Sequence, residues 1–276
     1  MRGMAHRWEL SPVLLAKGAV IGVANIIPGV SGGTIAVVLG LYDRLVESIS
    51  SLTRPSRASL ATHLPFLAQL TFGALCSIIL LSTAMDYLYT EHMHPTVFFF
   101  MGLIMGSVPT ILRQHTDMRP SASNIALLAV GALAILSLSL VNADIAESET
   151  GSSNGDVALL FVAGMAGAAA MIVPGFSGSF MLVALGVYWH LLEAVRGGDM
   201  LTLIPAIAGG LVGIIVVSRG LEVLLHRYPS QFYYCILGLI IASLYEIYPG
   251  IPTGTVLVAS IATLLAGVAV SLSLSG

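Results

Sequence analysis

The sequence predicts an all-α integral membrane protein built as an inverted-topology repeat, each half a re-entrant, split helical hairpin followed by three transmembrane helices. Three observations carry this. Charged residues make up 9% and hydrophobic residues 57% of the 276 positions, and the mean hydropathy is +0.95, whereas a soluble globule usually carries about 25% charge. Apolar runs recur at helix-span spacing and not at the roughly 10-residue alternation of a membrane β-barrel. One helix-breaking element also occurs twice inside apolar sequence, as "NIIPGVSGGTIAVVLG" from 25 and "MIVPGFSGSFMLVALG" from 171.

Taken in order, the leading "MRGMAHRWELSPVLLAKG" lacks the apolar run and small-residue cleavage site of a secretory signal, so it is expected to be retained. Repeat 1 (1–141) then opens with a split hairpin over 12–49, followed by spans at 65–85, 96–112 and 124–141. An external acidic loop fills 142–156. Repeat 2 (157–276) has its hairpin at 157–195 and spans at 201–217, 231–247 and 253–274. Each half of a hairpin would hold about 15 residues, or roughly 22 Å, which is short of a bilayer core of about 30 Å. Each hairpin is therefore two abbreviated spans or a re-entrant loop, and either returns the chain to the face it left.

Basic residues support even crossing. With the N-terminus in the cytoplasm, Arg2, Arg7, Lys17, Arg44, Arg54, Arg57, Arg113, Arg119, Arg219 and Arg227 all fall inside, leaving Arg196 outside with Asp86, Glu91, Asp144, Glu147, Glu149 and Asp156. A single crossing by either hairpin would break this pattern. Both termini are then cytoplasmic.

The two hairpins are copies. At an offset of 146 the identities include Gly18, Ala24, Ile26, Pro28, Gly29, Ser31, Gly32, Leu39, Gly40, Tyr42, Leu45 and Glu47. At an offset of 136, Gly73, Leu75, Ile78 and Ile79 face Gly209, Leu211, Ile214 and Ile215, and "GLIMGSVPTI" at 102 echoes "GLIIASLYEI" at 238. Three spans follow each hairpin; three is odd, so the second copy enters from the opposite face, as in many secondary transporters.

Irregular backbone at membrane depth persists only where protein or a water-filled cavity satisfies it. Pro28 and Pro174 end the first arms, while Gly29 and Gly175 supply backbone freedom. Ser31 and Thr34 suit the N-terminus of the second arm, whose N–H groups would favour an oxyanion. Ser31, Gly32, Gly33 and Thr34, with Ser177, Gly178 and Ser179, are thus the candidate phosphate site; the bland alternative is close packing of small residues. Arg44 is the candidate charged ligand, with His190 at its matched position. Glu47 and Glu193 are matched carboxylates suited to proton carriage or to pairing with a base, and Asp43 is a weaker candidate beside Arg44. Lys17 serves as an anion contact at the mouth or as a positive-inside anchor, and Cys76 and Cys235 read as small buried hydrophobes.

Other chemistries find little support. "GVSGG" at 29–33 matches the hydrolase G-x-S-x-G elbow, but the strand context is missing and the copy reads "GFSGS". The sequence shows no metal-ligand spacing and no Walker motif. No cofactor, metal or nucleic-acid partner is expected; the sequence leaves homo-oligomerisation open.

The paired motifs "NIIPGVSGGTIAVVLGLYDRLVESI" and "IVPGFSGSFMLVALGVYWHLLEAV" resemble the bacterial polyprenyl-phosphate transporter family over essentially the whole chain. The resemblance implies a flippase, not an enzyme, that returns undecaprenyl phosphate to the inner leaflet of the cytoplasmic membrane for carrier-lipid recycling in cell-wall biogenesis. It implies a phosphate seated at the hairpin tips while the polyprenyl tail stays in the bilayer. An inside-negative potential opposes inward anion movement by about 2.3 kcal/mol per charge per 100 mV, so coupling to a proton or sodium ion is expected. The alternatives are a polyprenyl-pyrophosphate phosphatase and a transporter of a small soluble anion.

Overall fold

The structure is a computed structural model that describes residues 10–27, 29–53, 56–114, 118–146 and 156–274, and their side chains apart from 113–114 and 138–146. Pro28, Arg54 and the acidic stretch 147–155 lie outside the described residues. Among the described residues every regular element is an α-helix. The first six are α1 (Pro12–Ile26), α2 (Gly32–Val38), α3 (Tyr42–Ser51), α4 (Arg57–Glu91), α5 (Met93–Gln114) and α6 (Ala122–Ala146). The second six are α7 (Val157–Ile172), α8 (Gly178–Ala184), α9 (Tyr188–Gly197), α10 (Met200–Arg227), α11 (Pro229–Ile247) and α12 (Gly254–Leu274). Five predicted spans fall inside α4, α5, α6, α10 and α11, and the sixth, 253–274, begins one residue before α12. Among the described residues five helices, α4, α5, α10, α11 and α12, are long and apolar enough to cross a membrane.

Their outer faces fit that reading. Leu75, Ile79 and Leu80 on α4 and Leu201, Ile204 and Leu211 on α10 are all more than half exposed. Large apolar side chains exposed in this number call for lipid and not water. The 35 residues of α4 would extend about 52 Å, longer than a hydrocarbon core, so the helix must tilt or project beyond it.

The hairpin regions break twice where the sequence predicts one break. The first is at the Pro-Gly element, with Gly29 at φ 82° and Gly175 at φ 84°. The second divides the returning arm: Gly40 and Gly186 adopt φ 64° and 71°, and α8 and α9 meet at 114°. Each second break is a Schellman end. Leu41 N–H donates to the Ala36 carbonyl and Gly40 N–H to Val37, while Val187 N–H donates to Leu182 and Gly186 N–H to Val183. Only glycine takes this left-handed position without strain. The returning arm is thus a seven-residue helix and a ten-residue helix, not one run of about 15.

Long-range packing is set by close backbone approaches that recur at the sequence offsets. A Cβ added to Gly18 would collide with the Leu70 carbonyl, and one on Gly73 with the Leu15 carbonyl. The matched Gly164 and Gly209 meet the Ala206 and Phe161 carbonyls in the same way. These contacts dock α1 on α4 and α7 on α10. The remaining long helices pair across the halves: Gly102 and Gly267 join α5 to α12 against Leu264 and Phe99, while Gly238 and Gly131 join α11 to α6 against Leu128 and Cys235. Small residues let backbones approach where lipid supplies no hydrophobic drive between helices. Cys76 and Cys235 are free thiols of intermediate exposure.

These contacts generate a stability test with an internal control. Gly209→Val drives a side chain into the Phe161 carbonyl and is expected to cost about 1–3 kcal/mol or more, lowering the melting temperature in detergent. Gly220, also in α10, has nothing within 4 Å of a Cβ, so Gly220→Ala should hold or raise the melting temperature, since alanine is favoured over glycine by about 1 kcal/mol in a helix.

Candidate functional site

The two hairpin tips fold alike and are finished differently. Val30 N–H donates to the Ile27 carbonyl and Ile35 N–H to Ser31; at the matched positions Phe176 N–H donates to Val173 and Met181 N–H to Ser177, all at 3.2 Å. In the first tip Ser31 is the N-cap of α2, its Oγ accepting from Gly33 N–H at 3.2 Å, and Asn25 Oδ1 accepts from Gly32 N–H at 3.0 Å. Side chains therefore already hold the first N–H groups of α2. In the second tip Asn25 is replaced by Met171. There Ser177 makes no side-chain cap, and its Oγ instead meets Ser179 Oγ at 2.9 Å.

The tips also touch. Gly175 N–H donates to Thr34 Oγ1 at 2.7 Å, and Thr34 is 1% exposed. Gly33 lies against the end of α7, where a Cβ would stand 2.7 Å from the Ile172 carbonyl oxygen. Thr34 and Gly33, both predicted to face phosphate, are thus spent on the contact between hairpins. The other five, Ser31, Gly32, Ser177, Gly178 and Ser179, line a cavity of about 640 Å³ between the tips, together with Asn25 and Tyr188. Among the described residues its polar lining is made of hydroxyls, an amide and backbone, without a charged side chain. A second, apolar cavity of about 460 Å³ lies beyond the Val173–Pro174 turn, against Tyr42, Leu224, Phe232 and Leu239.

The structure keeps the predicted charged residues away from this cavity. Arg44 is exposed and stacks on the Phe66 ring, 4.3 Å from its centroid, a cation–π contact. Asp43 accepts from the Tyr233 hydroxyl, and Glu47 stands 3.3 Å from His226 Nε2 on α10. Glu193 is exposed. His190 has its Nε2 buried without a hydrogen-bond partner, in a region that also holds Asp199. Asp199 caps α10, and the hydrogen bond from Thr202 holds its carboxyl below the usual range. Lys17 Nζ donates to the Leu39 carbonyl at 2.9 Å, a cation at the C-terminal end of α2. Among the described residues no cluster of three or more His, Cys, Asp or Glu could hold a metal ion.

Sequence reasoning missed Asn25 and the polar seam that joins α3 to α10. Asn25 gave a faint signal as an amide within an apolar arm, but its matched position is Met171, so duplication did not mark it. The seam comprises Glu47 with His226, Ser50 Oγ donating to Glu222, and Arg219 Nε donating to Thr53 Oγ1 at 2.6 Å. These partners lie some 170 residues apart, and nothing local pairs them.

Comparison with known proteins places the chain in a family. Residues 21–265 match the family model described as VCA0040-like, undecaprenyl phosphate translocase-like. A protein of Staphylococcus aureus named polyprenyl-phosphate transporter is 33% identical over 270 residues, covering 94% of each chain. A protein of the same name from Vibrio cholerae serotype O1 is 33% identical over 244 residues, covering 84% of this chain and 76% of its own. No solved structure matches. On the extent of these matches, the chain belongs to the undecaprenyl phosphate translocase-like family.

Proposed function

We propose that this protein carries undecaprenyl phosphate, or a similar polyprenyl phosphate, from the outer to the inner leaflet of the bacterial cytoplasmic membrane, with both termini in the cytoplasm. The observation that carries the reading is the cavity between the two duplicated tips, lined by Ser31, Ser177 and Ser179, in a chain whose relatives bear the name polyprenyl-phosphate transporter. Hydroxyls and backbone N–H groups donate to phosphate oxygens without fixing a permanent counter-charge. An uncharged lining suits a singly charged, protonated phosphate, which lowers the work done against an inside-negative potential.

The remaining parts of the account follow from the repeat. The glycine contacts that exchange α5–α12 for α11–α6 support two structurally equivalent halves, and the odd number of long helices after each hairpin supports their inversion across the membrane, with re-entrant hairpins meeting at the midplane. We take 1–141 and 157–276 as the two halves, each carrying six helices, with α6 running on to Ala146 in the stretch assigned to the loop. The apolar cavity on the far side of Pro174 offers the first isoprene units a protected surface. A phosphatase would need a general base among several cations, and the cavity lining supplies neither.

Reconstituted vesicles with labelled undecaprenyl phosphate, read by leaflet accessibility, test the site. Ser31→Ala with Ser177→Ala should lower transfer roughly ten-fold or more, since a hydrogen bond to a charged group contributes about 1.5–3 kcal/mol. Arg44→Ala should leave transfer within about two-fold, as expected for an exposed charge away from the cavity. Equal rates in wild type and the serine pair would remove the tips from the site, and release of phosphate from the pyrophosphate lipid would favour an enzyme.

Coupling is a separate claim. Glu47 and Glu193 are the matched carboxylates, one paired with His226 and one exposed. Glu47→Gln with Glu193→Gln is expected to abolish acceleration of transfer by an imposed proton gradient; an unchanged response in the same vesicle assay would exclude these two as proton carriers.

A further inference from the structure

The two halves of the protein are caught in different states. Tyr42 is 2% exposed and Ser50 is 4% exposed, whereas their matched residues Tyr188 and Arg196 are half-buried and exposed. On one side α3 is packed on α10 and sealed by Glu47–His226, Ser50–Glu222 and Thr53–Arg219. On the other side no comparable packing joins α9 to α4. Instead, the cavity between the tips reaches Tyr188, Leu191 and Val195 along α9 and Ile207 on α10.

Equivalent halves that can exchange conformations must exchange their contacts as well. Shifting α3 by 146 and α10 by −136 carries the closed seam onto α9 and α4. Ser50 and Glu222 map onto Arg196 and Asp86; Glu47 and His226 map onto Glu193 and Thr90. Thr53 and Arg219 map onto Asp199 and Thr83. Only Glu47 is matched by an identical residue, yet every mapped pair joins a donor to an acceptor and none opposes like charges. Asp86, Thr90, Glu193 and Arg196 are exposed in this structure, and the Thr90 hydroxyl, which here donates to the Asp86 carbonyl of its own helix, must release that bond to reach Glu193.

We infer that α9 and the C-terminal part of α4 form a second gate, closed by an Arg196–Asp86 ion pair with Thr90 donating to Glu193, that shuts the cavity when the α3–α10 seam opens. This rests on the inverted-repeat transporter reading given above, with the site opening to one face at a time by alternating access. The gate lies on the face opposite the α3–α10 seam, which the charge distribution places outside the cell. Its ion pair replaces a hydroxyl–carboxylate bond at the first gate, so the two gates are equivalent in geometry and differ in chemistry.

Disulfide trapping in the full-length protein, with Cys76 and Cys235 replaced by serine, tests this. Ser50→Cys with Glu222→Cys should cross-link on oxidation, and Asp86→Cys with Arg196→Cys should cross-link during turnover with undecaprenyl phosphate. Each cross-link should stop leaflet transfer, and reduction should restore it. A molecule carrying all four cysteines should form one link or the other and never both. If the first link stops transfer while the second never forms, the second gate is wrong and alternating access survives. If transfer continues with the first link closed, alternating access itself is wrong. Charge exchange offers a check free of thiols: Asp86→Arg or Arg196→Asp alone should slow transfer about two- to five-fold, the range of an exposed ion pair, and the two together should restore it. A double variant no faster than either single change overturns the pair.

Discussion

The need to satisfy broken backbone inside an apolar bundle governs this fold. A helix interrupted in water loses little, because solvent takes the freed N–H and C=O groups; in lipid each orphan costs several kcal/mol. The protein meets that constraint by making each tip complete the other. Thr34 of the first hairpin accepts from Gly175 N–H of the second, Ser31 and Asn25 hold the first N–H groups of α2, and the second breaks close on themselves as Schellman ends. Ser177 and Ser179 are satisfied by each other at the cavity wall. A hydroxyl pair of that kind can turn outward to a ligand without leaving a buried group unpaired.

The glycine seams explain how such tips are held in place. The α1–α4 and α7–α10 pairs dock through backbone-to-backbone approaches that any larger residue would disrupt, so the long helices act as rigid walls for the short hairpin segments. The α2–α3 and α8–α9 arms bend at Gly40 and Gly186; α3 is packed on α10 and α4, whereas α9 rests only lightly on α10 and α8. Rigid walls with bent inner arms suit the two-position element that the proposed transport requires. The unequal burial of Tyr42 and Tyr188 is what the proposed exchange of states would leave in a single structure.

Sequence reading succeeded where the physics is local. Pro-Gly inside an apolar run has few interpretations; the repeated motif marked both breaks, and the apolar runs marked the long helices. It failed where partners are distant. Thr34 looked like a phosphate ligand because its hydroxyl sits one turn from Ser31; only the fold shows Gly175 claiming it. Arg44 looked like the missing cation because charge is scarce, yet its guanidinium rests on Phe66. The second break at Gly40 and Gly186 stood in the alignment as a matched glycine, but a lone glycine in an apolar run is compatible with a continuing helix. Glu47 was singled out by duplication, whereas its partner His226 carried no mark at all.

The central claim is that the phosphate is held by neutral donors between the two hairpin tips. A cryo-electron microscopy structure of the protein with undecaprenyl phosphate tests it most directly. The account predicts phosphate density within hydrogen-bonding distance of Ser31, Ser177 and Ser179. Phosphate density seated instead on Arg44, Lys17 or the α3–α10 seam, with the cavity between the tips empty, would contradict it.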